Sequence, residues 1–208
     1  MAEGRDVHVL GYFIDTASGS LRAFLDRQRA DRVRRVVEMS DRLSALGYPI
    51  DVAAILADAT GGRSVGRPQV AAALLAAGHV RTRDEAFDRF LEFGGAAYVA
   101  RAGTTPADVV AIIHKAGGVA SLAHPGVTAR DDLIAPLAAA GLDALEARHS
   151  DHDRATEARY RALAAGLGLL VSGGSDYHGA SGHRAGRLGQ VTLARDDFDK
   201  LAAAAGRR

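Results

Sequence analysis

Cysteine is absent from the 208 residues. That excludes disulfides, thiolate metal ligands and cysteine nucleophiles, and fits a reducing compartment. A metal site, if the chain has one, must be built from imidazoles and carboxylates. An excess of charge is missing too: Lys and Arg total 26 against 25 Asp and Glu, a formal net charge of +1. No global field draws the chain to nucleic acid or a membrane, so any anion site is local. Long apolar runs are also lacking, none reaching the roughly 18 residues of a membrane span. The opening MAEGRDVHVLGYF has no basic region followed by an apolar stretch, so the chain reads as cytoplasmic with no membrane partner. There is no internal repeat and no low-complexity linker.

What is present is enough apolar content, 48%, to bury a core as one domain carrying a subdomain. A first strand is expected at Val7 to Leu10, with His8 and Leu10 on one face. From Leu21 to Leu46 apolar residues recur at helical spacing and stop at Gly47 and Pro49, which predicts one long amphipathic helix. Shorter helices follow around Val52 to Ala59, from Pro68 to near Gly78, and behind Thr82 with Glu85 three residues on. Residues 21–100 thus read as all-helical.

After Tyr98 the pattern alternates. Helices are expected at Pro106 to Lys115, Leu133 to Ala140, Ala155 to Ala165 and Phe198 to Ala205. Strands are expected at Val119 to Ala123, Ala144 to Ala147, Leu167 to Val171 and Gln190 to Leu193. Such alternation implies parallel strands covered by helices, in a barrel or an open sheet.

Three of these strands end in residues able to bind metal. GGVASLAHPG ends at His124, LDALEARHSDH offers Glu146, His149 and His152, and LLVSGGSDYHG ends at Asp176 and His178. In parallel α/β folds the strand C-terminal ends converge on one mouth, where residues distant in sequence meet. His8 on the first strand can join them. Asp176 and His178, two apart in extended chain, point the same way and suit a shared ion, and the flanking Gly173, Gly174 and Gly179 permit close approach. Imidazole and carboxylate without thiolate favour Mn²⁺, Fe²⁺ or Zn²⁺, which polarise phosphoryl oxygens and activate bound water.

Plainer readings stand beside these. A lone His-Pro such as His124-Pro125 is more often a turn, Glu146 and His149 can be surface residues past a strand, and His152 can precede a helix. His79 and His114 read as solvated, and His183 as an exposed loop residue that could touch a phosphate. The Arg-rich helix (Arg22, Arg27, Arg29, Arg32, Arg34, Arg35, Arg42) is interleaved with Asp26, Asp31, Glu38 and Asp41, the mark of a solvated face rather than of nucleic-acid binding. Arg67 at a helix start is better placed to clamp an anion.

HVLGY, GRPQVA, GGVASLAHPG, the HSDH segment and GGSDYHG, in this order, resemble the polymerase and histidinol phosphatase (PHP) superfamily. The likeness is to its bacterial branch around nucleotide bisphosphate phosphatase and 5′-to-3′ exoribonuclease. The resemblance implies an α/β fold, an incomplete distorted (β/α)7 barrel formed by residues 1–20 and 101–208, with residues 21–100 as a helical insertion subdomain. It implies that His8, His124, Asp176 and His178 are metal ligands, and that Arg67, His149 and His152 hold a substrate phosphate. Glu146 is the weakest of these carry-overs. The activity implied is hydrolysis of phosphate esters of nucleotides or short oligonucleotides by metal-bound hydroxide, with two or three divalent ions in the intact family.

The chain departs from this pattern in two places. Members typically open with His-x-His and an Asp, then an Asp-His pair and a bridging Glu, all ahead of the strand in HVLGY. The chain has none of these, so it is expected to be the larger C-terminal part of such a protein, binding fewer ions or none, with little activity or none. Gln69 stands in GRPQ where relatives often carry His; its amide can still donate a hydrogen bond. An unpaired barrel edge favours self-association. The competing expectation is a non-catalytic remnant or binding module.

Overall fold

The computed structural model describes residues 7–60, 64–178 and 185–206. The chain divides into two compact units, residues 23–103 and residues 1–22 with 104–208. No helix among the described residues is long and apolar enough to cross a membrane.

The first unit is helical. It holds most of α1 (Gly19–Ala45), then α2 (Val52–Thr60), α3 (Arg67–Ala76) and the short α4 (Arg83–Ala86), which runs on into a π-helical turn at Phe87–Leu91. Thr82 caps α4 by accepting the Glu85 N–H, the side-chain capture that a helix N-terminus needs. Val36, Met39 and Leu43 of α1 pack with Val70 and Leu74 of α3 and with Phe90, Leu91 and Val99 in one buried cluster.

The arginines of α1 do local work. Arg34 pairs with Asp31 and Glu38, and Arg42 with Glu38. Toward the extended segment after Tyr98, Arg42 donates to the Tyr98 carbonyl, Arg35 to that of Val99 at 2.9 Å and Arg34 to that of Ala100 at 3.2 Å. Guanidinium groups thus satisfy carbonyls in a stretch that forms neither helix nor strand. The charge alternation read from the sequence marks a helix that ties down its own unit.

The second unit is a mixed α/β structure built on four strands, β1 (Val9–Tyr12), β2 (Val119–Leu122), β3 (Ala144–His149) and β4 (Leu170–Gly174), ordered β1-β2-β3-β4. Helices α5 (Pro106–Lys115), α6 (Pro125–Thr128), α7 (Ile134–Ala139), α8 (Arg154–Gly166) and α9 (Arg195–Ala205) follow or separate them. Thr105 and Asp108 form a capping box at the start of α5, with Pro106 in its first turn, and Asp153 caps α8. β2, β3 and β4 run parallel.

The structure adds a strand direction that the sequence left open and corrects one expectation. β1 is antiparallel to β2, pairing Val9 with Leu122 through Tyr12 with Val119. A parallel pair needs a crossover of a dozen or more residues; residues 23–103 all come between β1 and β2 in the sequence, a length that permits either direction. The strand expected at Gln190 to Leu193 does not form. The Gln190 N–H bonds to the Arg187 carbonyl and its side chain to that of Gly186, closing a turn instead, while Leu193 packs on the core without pairing.

Side-chain alternation gives the sheet two faces. Leu122 and Leu145 lie in one cluster with Val110 and Ile113 of α5, Ile134 and Leu137 of α7 and Tyr160 and Ala164 of α8. On the other face Val119, Ala144, Tyr12 and Leu170 pack with Leu201 of α9. Above that apolar layer the same face turns polar. The Oγ atoms of Ser121 and Ser172 are 2.7 Å apart, and Glu146 pairs in register with Ser172.

The buried Arg35 clamp has a measurable weight. Its guanidinium is lodged in a residue only 5% exposed, and Arg35→Ala leaves the Val99 carbonyl without that donor. Denaturant unfolding is expected to show a loss of about 2 kcal/mol. A loss under about 0.5 kcal/mol would place Arg35 among ordinary surface arginines.

Candidate active site

Because β2, β3 and β4 are parallel, their C-terminal ends share one edge, and because β1 is antiparallel its N-terminal end lies there too. The His8 carbonyl accepts the Ala123 N–H at 3.0 Å, one step past the last register pair. His8 Nδ1 and His124 Nε2 are therefore 3.2 Å apart, with the rings edge to face at 5.2 Å. The two histidines are 116 positions apart in the chain.

His149 reaches the same edge through an irregularity. Glu146 pairs with Ser172 but Arg148 with Gly173 and His149 with Gly174, so one extra residue sits in β3. Ordinary alternation would put Arg148 on the face of Glu146; the bulge puts His149 there and turns Arg148 outward. Arg148 then pairs with Glu157 of α8 at 2.8 Å. Gly173 makes the bulge possible, since a Cβ at that position would lie 2.5 Å from Arg148 Cβ and 2.6 Å from its carbonyl oxygen.

The edge is thus lined by a row of imidazoles. The ring of His149 is 5.4 Å from that of His124 and 5.2 Å from that of His152, which stacks on Tyr160. His149 Nε2 faces Asp176 Oδ2 at 3.7 Å. His124 and Asp176 both take left-handed backbone conformations, with φ of +29° and +50°. Non-glycine residues there store strain of about 1 kcal/mol or more each, a burden that tends to collect at functional sites.

Hydrogen bonds assign the tautomers of two rings. The Asp151 N–H donates to His149 Nδ1 at 3.1 Å, so in the neutral ring the proton is on Nε2. His152 Nδ1 lies 2.9 Å from the Ala147 carbonyl, so in the neutral ring the proton is on Nδ1 and Nε2 carries the lone pair. Both Nε2 atoms are buried without a hydrogen-bond partner. A Cβ on Gly126 would come within 2.8 Å of His152 Nε2, so glycine makes the room for that ring. Burial, with the neighbouring His152 and His124, pushes the pKa of His149 down to about 4, against the smaller opposing pull of Asp176 and Asp151.

The donors fit a borderline divalent ion in kind, being imidazole and carboxylate, with a buried, unpartnered lone pair on His152 Nε2. They do not fit in number. Among the described residues no group of three or more His, Asp and Glu is arranged to hold a metal ion. His178 is exposed, its Nδ1 2.8 Å from the Asp176 carbonyl and 3.4 Å from Asp176 Oδ1. Arg67 lies in the helical unit, donating to the Leu91 carbonyl at 3.4 Å over the Phe87 ring. His183 and Gly179 fall outside the described residues.

Two further histidines prove structural. His79 Nε2 lies 2.8 Å from the Pro49 carbonyl. His114, read from the sequence as solvated, is partly buried and sits 2.8 Å from Asp143, which also accepts the Ala120 N–H. Glu146 gained little weight from the sequence, yet it is 4% exposed and accepts the His124 N–H at 2.8 Å. The available signal was its place inside an apolar strand, where a carboxylate needs a partner.

No sequence profile of a known family matches the chain. Individual proteins do. A phosphoribosyl 1,2-cyclic phosphate 1,2-diphosphodiesterase of Eggerthella lenta is 32% identical over 184 residues, covering 86% of this chain and 69% of the relative. A 5′-3′ exoribonuclease of Haemophilus influenzae is 32% identical over 183 residues, covering 85% and 65%. Among solved structures, a candidate metal-dependent phosphoesterase from Bifidobacterium adolescentis superposes with a TM-score of 0.77 at 32% identity, covering 95% of this chain and 71% of that one. The chain therefore spans about two thirds of the length of its curated relatives.

His149 gives the site a pH signature. Its native pKa is depressed, so between about pH 6.5 and pH 4 the unfolded chain holds a proton that the folded chain does not. Stability is intact above that window and falls as pH drops through it, by up to about 3 kcal/mol. In chelator-containing buffer, His149→Gln is expected to remove most of this acid loss in urea unfolding. Equal losses in wild type and variant would show that His149 is not held neutral.

Proposed function

This chain belongs to the PHP superfamily, in its bacterial phosphoesterase branch, and from that premise we propose that it hydrolyses phosphate esters of nucleotides or short oligonucleotides. The observation that carries this reading is the meeting of His8 with His124 at 3.2 Å, and of His149 with Asp176 at 3.7 Å, along one sheet edge. The names of the relatives agree in kind: one acts on a cyclic phosphodiester and another on RNA.

His8, His124, Asp176 and His178 are the ligands we assign to a divalent ion, a set that matches such an ion in kind and is not gathered into a three-donor group among the described residues; an ion held there would supply charge stabilisation to the phosphoryl oxygens and an activated water. The rest is assigned to this chain's own groups. His149, neutral with its proton on Nε2, is a donor suited to a phosphoryl oxygen. His152, neutral with its Nδ1–H donating to the Ala147 carbonyl, offers a lone pair on Nε2 suited to a hydroxyl. Arg67, in the helical insertion of residues 21–100, is a guanidinium of the kind that pairs with phosphate, and the remaining residues are read as part of a distorted barrel.

A second reading, a binding module without turnover, is favoured by one observation: no three-donor group exists among the described residues. One assay separates the two. The purified chain is given Mn²⁺ and adenosine 3′,5′-bisphosphate. The enzyme reading expects chelator-sensitive phosphate release, reduced on the order of 100-fold or more by Asp176→Asn. Absence of release from the folded chain, with no bound metal, leaves the binding module.

A further inference from the structure

We infer that Glu146 is a positioning residue of the site, its buried carboxylate fixing the left-handed turn at His124 and so aiming the His124 imidazole at the mouth. The inference rests on the reading of His124 as a site residue. Three observations carry it. Glu146 Oε2 accepts the His124 backbone N–H at 2.8 Å, and both residues are at least nine-tenths buried. His124 has a φ of +29° and leads directly into Pro125, so the N–H that Glu146 takes sits at a strained corner between β2 and α6. The second carboxylate oxygen is on the side of β4, where a Cβ on Gly174 would lie 3.8 Å from Oε1.

The chemistry explains why a carboxylate serves here. At a strand end the ladder stops, and a backbone N–H that turns inward has lost its sheet partner. A charged acceptor holds such an N–H more strongly than a neutral one. Glu146 is on the central β3, paired on one side with β2 and on the other with β4. Its carboxylate therefore references the His124 corner to the rigid middle of the sheet. Orienting partners of ligating histidines usually act through the second ring nitrogen; here Glu146 holds the backbone and so sets the Cα–Cβ direction, while the ring itself has Thr128 Oγ1 3.4 Å from Nδ1.

The test compares Glu146→Leu and Glu146→Gln by amide hydrogen exchange and by His124 imidazole resonances, with Co²⁺ alone as a probe of the site. Glu146→Leu is expected to lower protection of the His124 amide on the order of 10- to 100-fold while Ser121 and Leu145 stay protected, and Glu146→Gln by only a few fold. The imidazole resonances of His124 should shift in the Leu variant and largely recover in the Gln variant. Should Glu146→Leu fail to fold, the Gln variant decides alone: a loss confined to His124 supports the inference, and no change, or one spread evenly over the sheet, overturns it. Loss of His124 protection with Co²⁺ binding unaltered would keep the positioning role and remove His124 from the metal-ligand set. Unchanged His124 exchange in the Leu variant would overturn the role whatever the activity.

Discussion

In a β-sheet the direction of every side chain is tied to register, and in this chain one extra residue in β3 decides which groups can meet. Without the bulge between Glu146 and Arg148, an arginine would stand where His149 stands and His149 would point into the helices behind the sheet. With it, Glu146 and His149 share a face, one under the mouth and one at it. Arg148 is spent on an ion pair with Glu157. The close approach that accommodates the extra residue is possible because Gly173 has no side chain.

The polar layer that results is expensive. Glu146, Ser121, Ser172 and His149 are all nearly excluded from water, and each must find partners inside the protein or lose free energy. Most do: serine to serine, carboxylate to backbone N–H. Burial chiefly raises the Tyr12 pKa on that face, with the Glu146 charge adding to it and a bond to Ser172 opposing. The orphaned Nε2 atoms of His149 and His152 are the exceptions, and they lie in the row of rings at the edge. An apolar layer on one side and the α5, α7 and α8 cluster on the other supply the burial that keeps this layer in place.

Much of the architecture was legible in the sequence because it rests on local signals. Pro106 and the apolar residues behind it announce α5, and apolar runs closing on His124 and Asp176 announce strand ends at a mouth. What was not legible depends on pairing. The antiparallel direction of β1 leaves no local trace, though it is what brings the start of that strand, and His8, to the mouth. The bulge is visible only once Gly173 and Arg148 are known to be opposite each other. The turn after Arg187 captured Gln190 through bonds that alternation cannot anticipate. Glu146 was undervalued for the same reason, since its partner is a backbone N–H 22 positions away.

The central claim is that this sheet edge, assembled by an antiparallel strand and a bulge, is where a divalent ion and a phosphate are brought together. Anomalous diffraction from crystals of the protein grown with Mn²⁺ and inorganic phosphate tests it most directly. The account predicts an anomalous peak in contact with His124 or Asp176, with phosphate density beside it. Peaks confined to other surfaces, with the His8, His124, His149 and Asp176 cluster unchanged, would contradict it.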